Sequence, residues 1–165
     1  MKRLLIYFLL TLCTMPAMAD SVYNVKNFGA KGDGKTLDSP AINAAIEAAA
    51  EGGGGQVLLP AGTYLSGSIR LKSNIDLHLS AGCTILAAPA SMKAYDESES
   101  FGGFPEYQDG GHTYFHNSLI WAEGQTNVSI TGHGMIDGEG LTRKDTEHAG
   151  NVQGAASARA TRLSP

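Results

Sequence analysis

The sequence predicts an all-β fold, a parallel β-helix solenoid closed at its N-terminal end by one capping helix. Three observations lead there. Only one stretch, "SPAINAAIEAAAE", carries helical periodicity. The 21 glycines among 165 residues, with 7% aromatics, mark a chain of frequent turns. Short apolar runs recur between Gly, Ser, Asn and Pro from Gly54 to Pro89 and again from Ser118 to Gly138. Strand and turn at this spacing fit a sandwich as well as stacked coils. Two features favour coils: a unit of roughly 20 to 30 residues that can bury its apolar face only on the next unit, and a helix whose Ile42, Ile46 and flanking alanines form a flat face suited to plugging the end of a stack.

The chain starts "MKRLLIYFLLTLCTMPAMA", with two basic residues, an apolar run from Leu4 to about Cys13, and Ala17-Met18-Ala19 as a small-x-small cleavage site. Residues 1–19 are therefore expected to be a signal peptide, cleaved after Ala19, with the product secreted or periplasmic. The apolar run is short of the roughly 20 residues a bilayer span needs, so no membrane association is expected after cleavage. Leu12 is too bulky to precede a lipid-modified Cys13. Removal of Cys13 leaves Cys83 alone, which excludes an internal disulfide and a cysteine metal cluster; Cys83 reads as a buried small apolar residue.

"GAKGDGKT", Gly29 to Thr36, has the spacing of a nucleotide phosphate loop. Tyr23, Val25 and Phe28 are expected to end a short extended segment that feeds such a loop, but the loop also needs a helix starting at its Gly-Lys-Thr, and Pro40 would fall in the first turns of that helix, against the carbonyl four residues back. The helix instead starts later, with Asp38 or Ser39 as N-cap and Pro40 at the first helical position, and runs to the break at "GGGG". No nucleotide is expected, and "GDG" is turn chemistry. The net charge of −4, with Lys and Arg scattered, gives no basic stripe for nucleic acid.

In "NIDLHLS", Ile75, Leu77 and Leu79 take one face and Asp76 and His78 the other, the period of a half-buried strand with His78 facing solvent. "SLIWAEGQTNVSITGHGMIDGEG" repeats the texture, with Val128 and Ile130 inward, a new run at Met135, and Trp121 in core or stacking against a coil. Between Ala90 and Asn117 lies a long polar excursion of the kind that is usually functional or mobile.

Together, "YNVKNFGAKGDGKTLDSPAINAAIEAA", "GGGQVLLPAGTYLSGSIRLKSNIDLHLSAGCTILA" and "NVSITGHGMIDGEG" resemble the polygalacturonase family of pectin-cleaving enzymes, glycoside hydrolase family 28, from about Val22 to Gly154. Within the family the chain is similar to bacterial members that trim pectic chains from their ends. The resemblance implies a right-handed, pectin-lyase-like β-helix over residues 20–154, a pectic polysaccharide or oligosaccharide as partner, no cofactor, and inverting hydrolysis by two carboxyl groups about 6.5 to 9.5 Å apart. Family members carry these in Asn-x-Asp and Asp-Asp elements, with a Gly-His-Gly and an Arg-x-Lys element nearby. No Asn-x-Asp, Asp-Asp or Arg-x-Lys element stands in the expected region of this sequence, so no catalytic residue and no metal site is assigned.

Four groups invite a chemical role. His133 lies in a "GHG" that precedes "MIDGEG", too early for the family's histidine, and reads as a turn residue. Asp137 and Glu139 would share a strand face but approach from one side of a sugar bond, and read as solvated. His112, Tyr114 and His116 alternate within the excursion; they either present rings and hydrogen-bonding groups to a sugar at the groove mouth or pack the loop onto the coil wall. They are the substrate-binding candidates. Asn127-Val128-Ser129 has the pattern of a glycosylation acceptor, without consequence in a bacterial host.

The end, "AASARATRLSP", shows no alternation and no acid. One coding string read in two frames yields either "GSIGTGDKAIA", a continuation of the family type, or this peptide. Residues 155–165 are therefore expected to be a frameshifted tail that truncates the solenoid after its first few coils. Two other readings stay open: a non-enzymatic β-helix module that binds polysaccharide, and part of a polysaccharide lyase.

Overall fold

The structure, a computed structural model, describes residues 21–97 and 116–138, with Thr161–Arg162 as backbone. The expected signal peptide, the centre of the excursion and nearly all of the expected tail lie outside the described residues.

The elements are β1 (Val22–Asn24), β2 (Asp33–Leu37), α1 (Ser39–Glu51), β3 (Gly55–Leu59), β4 (Gly62–Ser66), β5 (Ile69–Arg70), β6 (Ile75–Leu79), β7 (Cys83–Ala87), β8 (Ile120–Trp121), β9 (Ser129–Gly132), β10 (Met135–Asp137) and β11 (Thr161–Arg162). They form three sheets that run up the stack: β1-β3-β6-β9, β2-β4-β7-β10 with β11 beyond, and β5-β8. Every pairing is parallel except that of β10 with β11. This is the expected right-handed parallel β-helix with a capping helix. Its coils are unequal: 20 residues separate Gln56 from Asp76 directly above it, but 53 separate Asp76 from Ser129, the excess being the excursion.

Parallel register places like side chains above one another. Val57 lies under Leu77, which lies under Ile130; Tyr64 lies under Ile85, which lies under Ile136. The alternation in β6 holds, with Ile75, Leu77 and Leu79 fully buried and Asp76 and His78 outward. Each such burial contributes about 1.5–3 kcal/mol. Cys83 is buried as expected, and burial pushes its thiol up to about 12. Val128, Ile130 and Ile136 pack on the core but stay partly exposed. The helix closes the other end, with Ile42, Ala45, Ile46 and Ala49 wholly buried.

The N-terminal loop departs from expectation in three ways. Val25, expected to end an extended segment, starts a 3-10 turn (Val25–Phe28), because Asn24 Oδ1 accepts the Lys26 N–H at 2.9 Å and Gly29 closes the turn at φ 100°. Half of "GAKGDGKT" is strand, not loop: β2 pairs with β4, its register shifting where the Asp33 carboxylate accepts the N–H groups of Lys35 and Thr36 at 2.9 and 2.7 Å. Ser39, not Pro40, is the first helical residue, and Asp38 sits at the N-cap without capping. Its carboxylate instead accepts the Gly32 N–H at 2.8 Å and the Lys31 N–H at 2.6 Å. Asp38 is 1% exposed, so the anion held by this loop is the chain's own.

Candidate functional site

The long excursion leaves and rejoins the coil wall at one place, the outer side of the β5-β8 sheet. Arg70 pairs in register with Trp121 one coil above. Ile69 and Leu71 point into the core, so Arg70 points out, its side chain 50% exposed. Beneath it, Gly67 and Ser68 clasp both ends of the excursion. A Cβ at Gly67 would overlap the Ala94 carbonyl, so the outgoing chain can lie this close only over glycine. Ser68 is 3% exposed; its hydroxyl donates to the Ser118 carbonyl at 2.8 Å and accepts the Asp96 N–H at 3.0 Å. Asn43 ties the same point to the cap, its amide donating to the Ser68 carbonyl and its oxygen accepting the Arg70 N–H, both at 2.9 Å.

Asp96 is the centre of the cluster. Its carboxylate accepts Arg70 Nε at 2.8 Å, Arg70 Nη2, and Trp121 Nε1 at 2.9 Å. The guanidinium, and then the indole N–H, hold its carboxyl below the usual carboxylate range, against some desolvation. Tyr95 anchors the preceding residue by donating to the Ala88 carbonyl at 2.7 Å, and burial lifts its phenol to about 12. Above, the His116 ring stacks on Trp121 with centroids 4.1 Å apart and planes at 29°, and its Nε2 lies 3.0 Å from Glu123 Oε2. The arrangement sets a cation, a stacked aromatic pair and carboxylates side by side on one rim.

Of the three substrate-binding candidates, His116 belongs to this rim, packed against the wall through Trp121; His112 and Tyr114 lie outside the described residues. Trp121 is half-buried on the rim rather than in core, because its N–H is drawn to Asp96. Sequence reading missed Ser68, Arg70 and Asp96. The outward position of Arg70 was available from the alternation Ile69, Leu71, but nothing local in "KAYDES" marks Asp96.

The other groups have structural work. His133 is exposed in the bend between β9 and β10, its N–H donating to the Leu79 carbonyl at 2.9 Å, as expected of a turn residue. Asp137 ends β10, and Glu139 lies outside the described residues. Asn127 adopts φ 55° above Asn74 at φ 62°, and its amide donates to Asn74 Oδ1 at 3.0 Å, a ladder that engages the acceptor asparagine of the glycosylation pattern. A groove of about 590 Å³ runs beside this ladder over Gln56, Asp76 and Ser129. Its one carboxylate, Asp76, already accepts from Gln56, Ser129 and Thr131 at 2.8–3.0 Å. Among the described residues no group of three or more His, Cys, Asp or Glu could hold a metal ion, and no helix is long and apolar enough to cross a membrane.

Comparison with known proteins adds the lineage. The chain is 31% identical over 134 residues to the exo-poly-alpha-D-galacturonosidase of Dickeya chrysanthemi, a match over 81% of this chain and 22% of that one. It aligns with the solved hyperthermoactive exopolygalacturonase of Thermotoga maritima at 36% identity and TM-score 0.60, over 73% of this chain and 26% of that one. A shorter match, 54% identical over 61 residues, is to alginate lyase 7 of Azotobacter vinelandii, covering 32% of this chain and 7% of that one. The chain thus spans about a quarter or less of these relatives. The parallel β-stack agrees with the match of residues 22–159 to one family model: the chain belongs to the family described as rhamnogalacturonase A/epimerase, pectate lyase-like.

Proposed function

We propose that this chain is the N-terminal part of an exported, pectin-degrading glycoside hydrolase of the polygalacturonase type. The Asn-x-Asp and Asp-Asp elements that the resemblance implies for inverting hydrolysis do not stand in the expected region of this sequence, and this chain meets the pectic chain without cleaving it. The observation that carries the reading is the β-helix with its cap, in a chain similar to two exo-acting galacturonan hydrolases over most of its described length. The rim around Arg70, Asp96 and Trp121 is the surface that meets saccharide, and export follows from the reading of residues 1–19.

The test is polygalacturonate incubated with the purified 165-residue protein, with reducing ends counted and the anomer of any product assigned by NMR. The expected result is no release. Fragments of inverted configuration would place the catalytic carboxyls in this chain. Reading the gene past Gly154 tests the frameshift, which requires Asn-x-Asp and Asp-Asp elements in the alternative frame. The identity with an alginate lyase over 61 residues favours one other reading, a lyase whose first coils these are. Unsaturated, ultraviolet-absorbing uronate ends released by the protein that the completed frame encodes would select it.

A further inference from the structure

Arg70 has two edges that match a carboxylate. One is closed: Nε donates to Asp96 Oδ2 at 2.8 Å and Nη2 to Oδ1. The other, Nη1 with the second hydrogen of Nη2, has no partner among the described residues, and the side chain is 50% exposed. A guanidinium is planar and rigid, so holding one edge aims the other. The holding is thorough. Asp96 is fixed by Trp121 Nε1 and by its own N–H on Ser68, and the Arg70 N–H is fixed by Asn43. Little side-chain entropy is left to lose on binding.

Register sets Trp121 beside Arg70 on the next coil, about 4.8 Å away along the stack. A cation edge next to an aromatic ring suits a sugar ring that bears an acid. Asp96 offsets the charge of Arg70, so recognition rests on two directed hydrogen bonds more than on a net field. A methyl ester cannot accept both as a charged group does, and a group built to donate discriminates strongly against a partner that cannot accept.

We propose that the open edge of Arg70 is a carboxylate-reading subsite for one uronate unit, selecting the free acid over its methyl ester. The choice of galacturonate as the uronate rests on the function proposed above; the carboxylate site does not.

Trp121 is the single tryptophan of the chain, and its N–H touches the carboxylate that grips Arg70, so its emission reports on the site. The full 165-residue protein is titrated with trigalacturonate, its fully methyl-esterified form, and trimannuronate. The free galacturonate acid is expected to change the emission at about tenfold lower concentration than the ester. Arg70→Gln brings the acid to the level of the ester, and Arg70→Lys keeps part of the preference, since an ammonium cannot fork. Asp96→Asn keeps one oxygen for Arg70 Nε and Trp121 Nε1 but turns an amide NH2 towards Arg70 Nη2, so it loosens the aim of the open edge and weakens the acid more than the ester. A merely structural pair would weaken both alike. Equal responses to acid and ester in the wild-type chain overturn the subsite. So does an unchanged acid response in Arg70→Gln or Arg70→Lys with wild-type circular dichroism. A response to trimannuronate without one to trigalacturonate keeps the subsite and removes the pectic reading. Binding of both galacturonate forms without dependence on Arg70 does the reverse, and silence towards every acid overturns the subsite.

Discussion

Asp38 and Asp96 are both carboxylates held by several donors, yet they sit in regions of different kind. Asp38, in the capped base, is 1% exposed and takes two backbone N–H groups from the loop before the helix. Asp96, on the rim, keeps 19% of its side chain exposed and takes side-chain donors from Arg70 and Trp121. Backbone donors belong to the fold and cannot be offered elsewhere without unfolding it. Side-chain donors on a surface can be shared with a ligand. The base therefore closes the stack, and the rim is where chemistry can meet solvent.

The widest separation between the two regions is expected from the core beneath both. Leu77→Ala removes a fully buried side chain from the column between Val57 and Ile130 and should cost about 2–5 kcal/mol, read as a lower urea midpoint with an unchanged slope. A loss below 1 kcal/mol would mean that the coils are not packed as described. Asp38→Ala strands two N–H groups in a part-buried loop and should cost about 1–3 kcal/mol, with cap and coils still melting together. If its amides instead served a phosphate, adding nucleotide would raise the midpoint of the wild-type protein; no such rise is expected.

Gly67→Ala sharpens the contrast from the other side. The added methyl must push Ala94 outward, at about 1–3 kcal/mol, and so loosens the clasp. Its signature should be local: red-shifted Trp121 emission with a cap that melts much as before. Emission like that of the wild type would show that the excursion does not depend on this close approach.

The smallest effect is that of acid. Asp96 is depressed in the folded state, chiefly by Arg70, so its contribution is present above the unfolded carboxyl value, about 3.9, and is lost as pH falls through the folded one. Asp33, on the exposed β2 turn, behaves alike and lies near 2 through the N–H groups of Thr36 and Lys35. As pH falls below about 4 the Trp121 emission should therefore change before the far-ultraviolet signal of the sheets. Coincident transitions would tie the rim to the base as one unit.

How much of this was legible in sequence depends on how local the cause is. The strand β6, the burial of Cys83, the end of α1 before "GGGG" and the turn role of His133 all follow from alternation, residue size or φ preference within a few residues, and each was read correctly. The 3-10 turn at Val25 and the first residue of the helix were missed by small margins, where one side-chain hydrogen bond decides. His116 was singled out because it alternates with other polar rings, and the structure places it against Trp121. Ser68, Arg70 and Asp96 were not, because no window of sequence contains them together.

The sequence alone determined the repeat of short strands, the one amphipathic helix and the absence of a helix start at the glycine loop, since periodicity and the geometry of proline are properties of neighbouring residues. Tertiary structure decided which anion that loop holds, and it made the rim. Asp96 lies 26 residues from Arg70, and Ser118 lies 50 from Ser68, so only the winding of one coil onto the next brings them within hydrogen-bond reach.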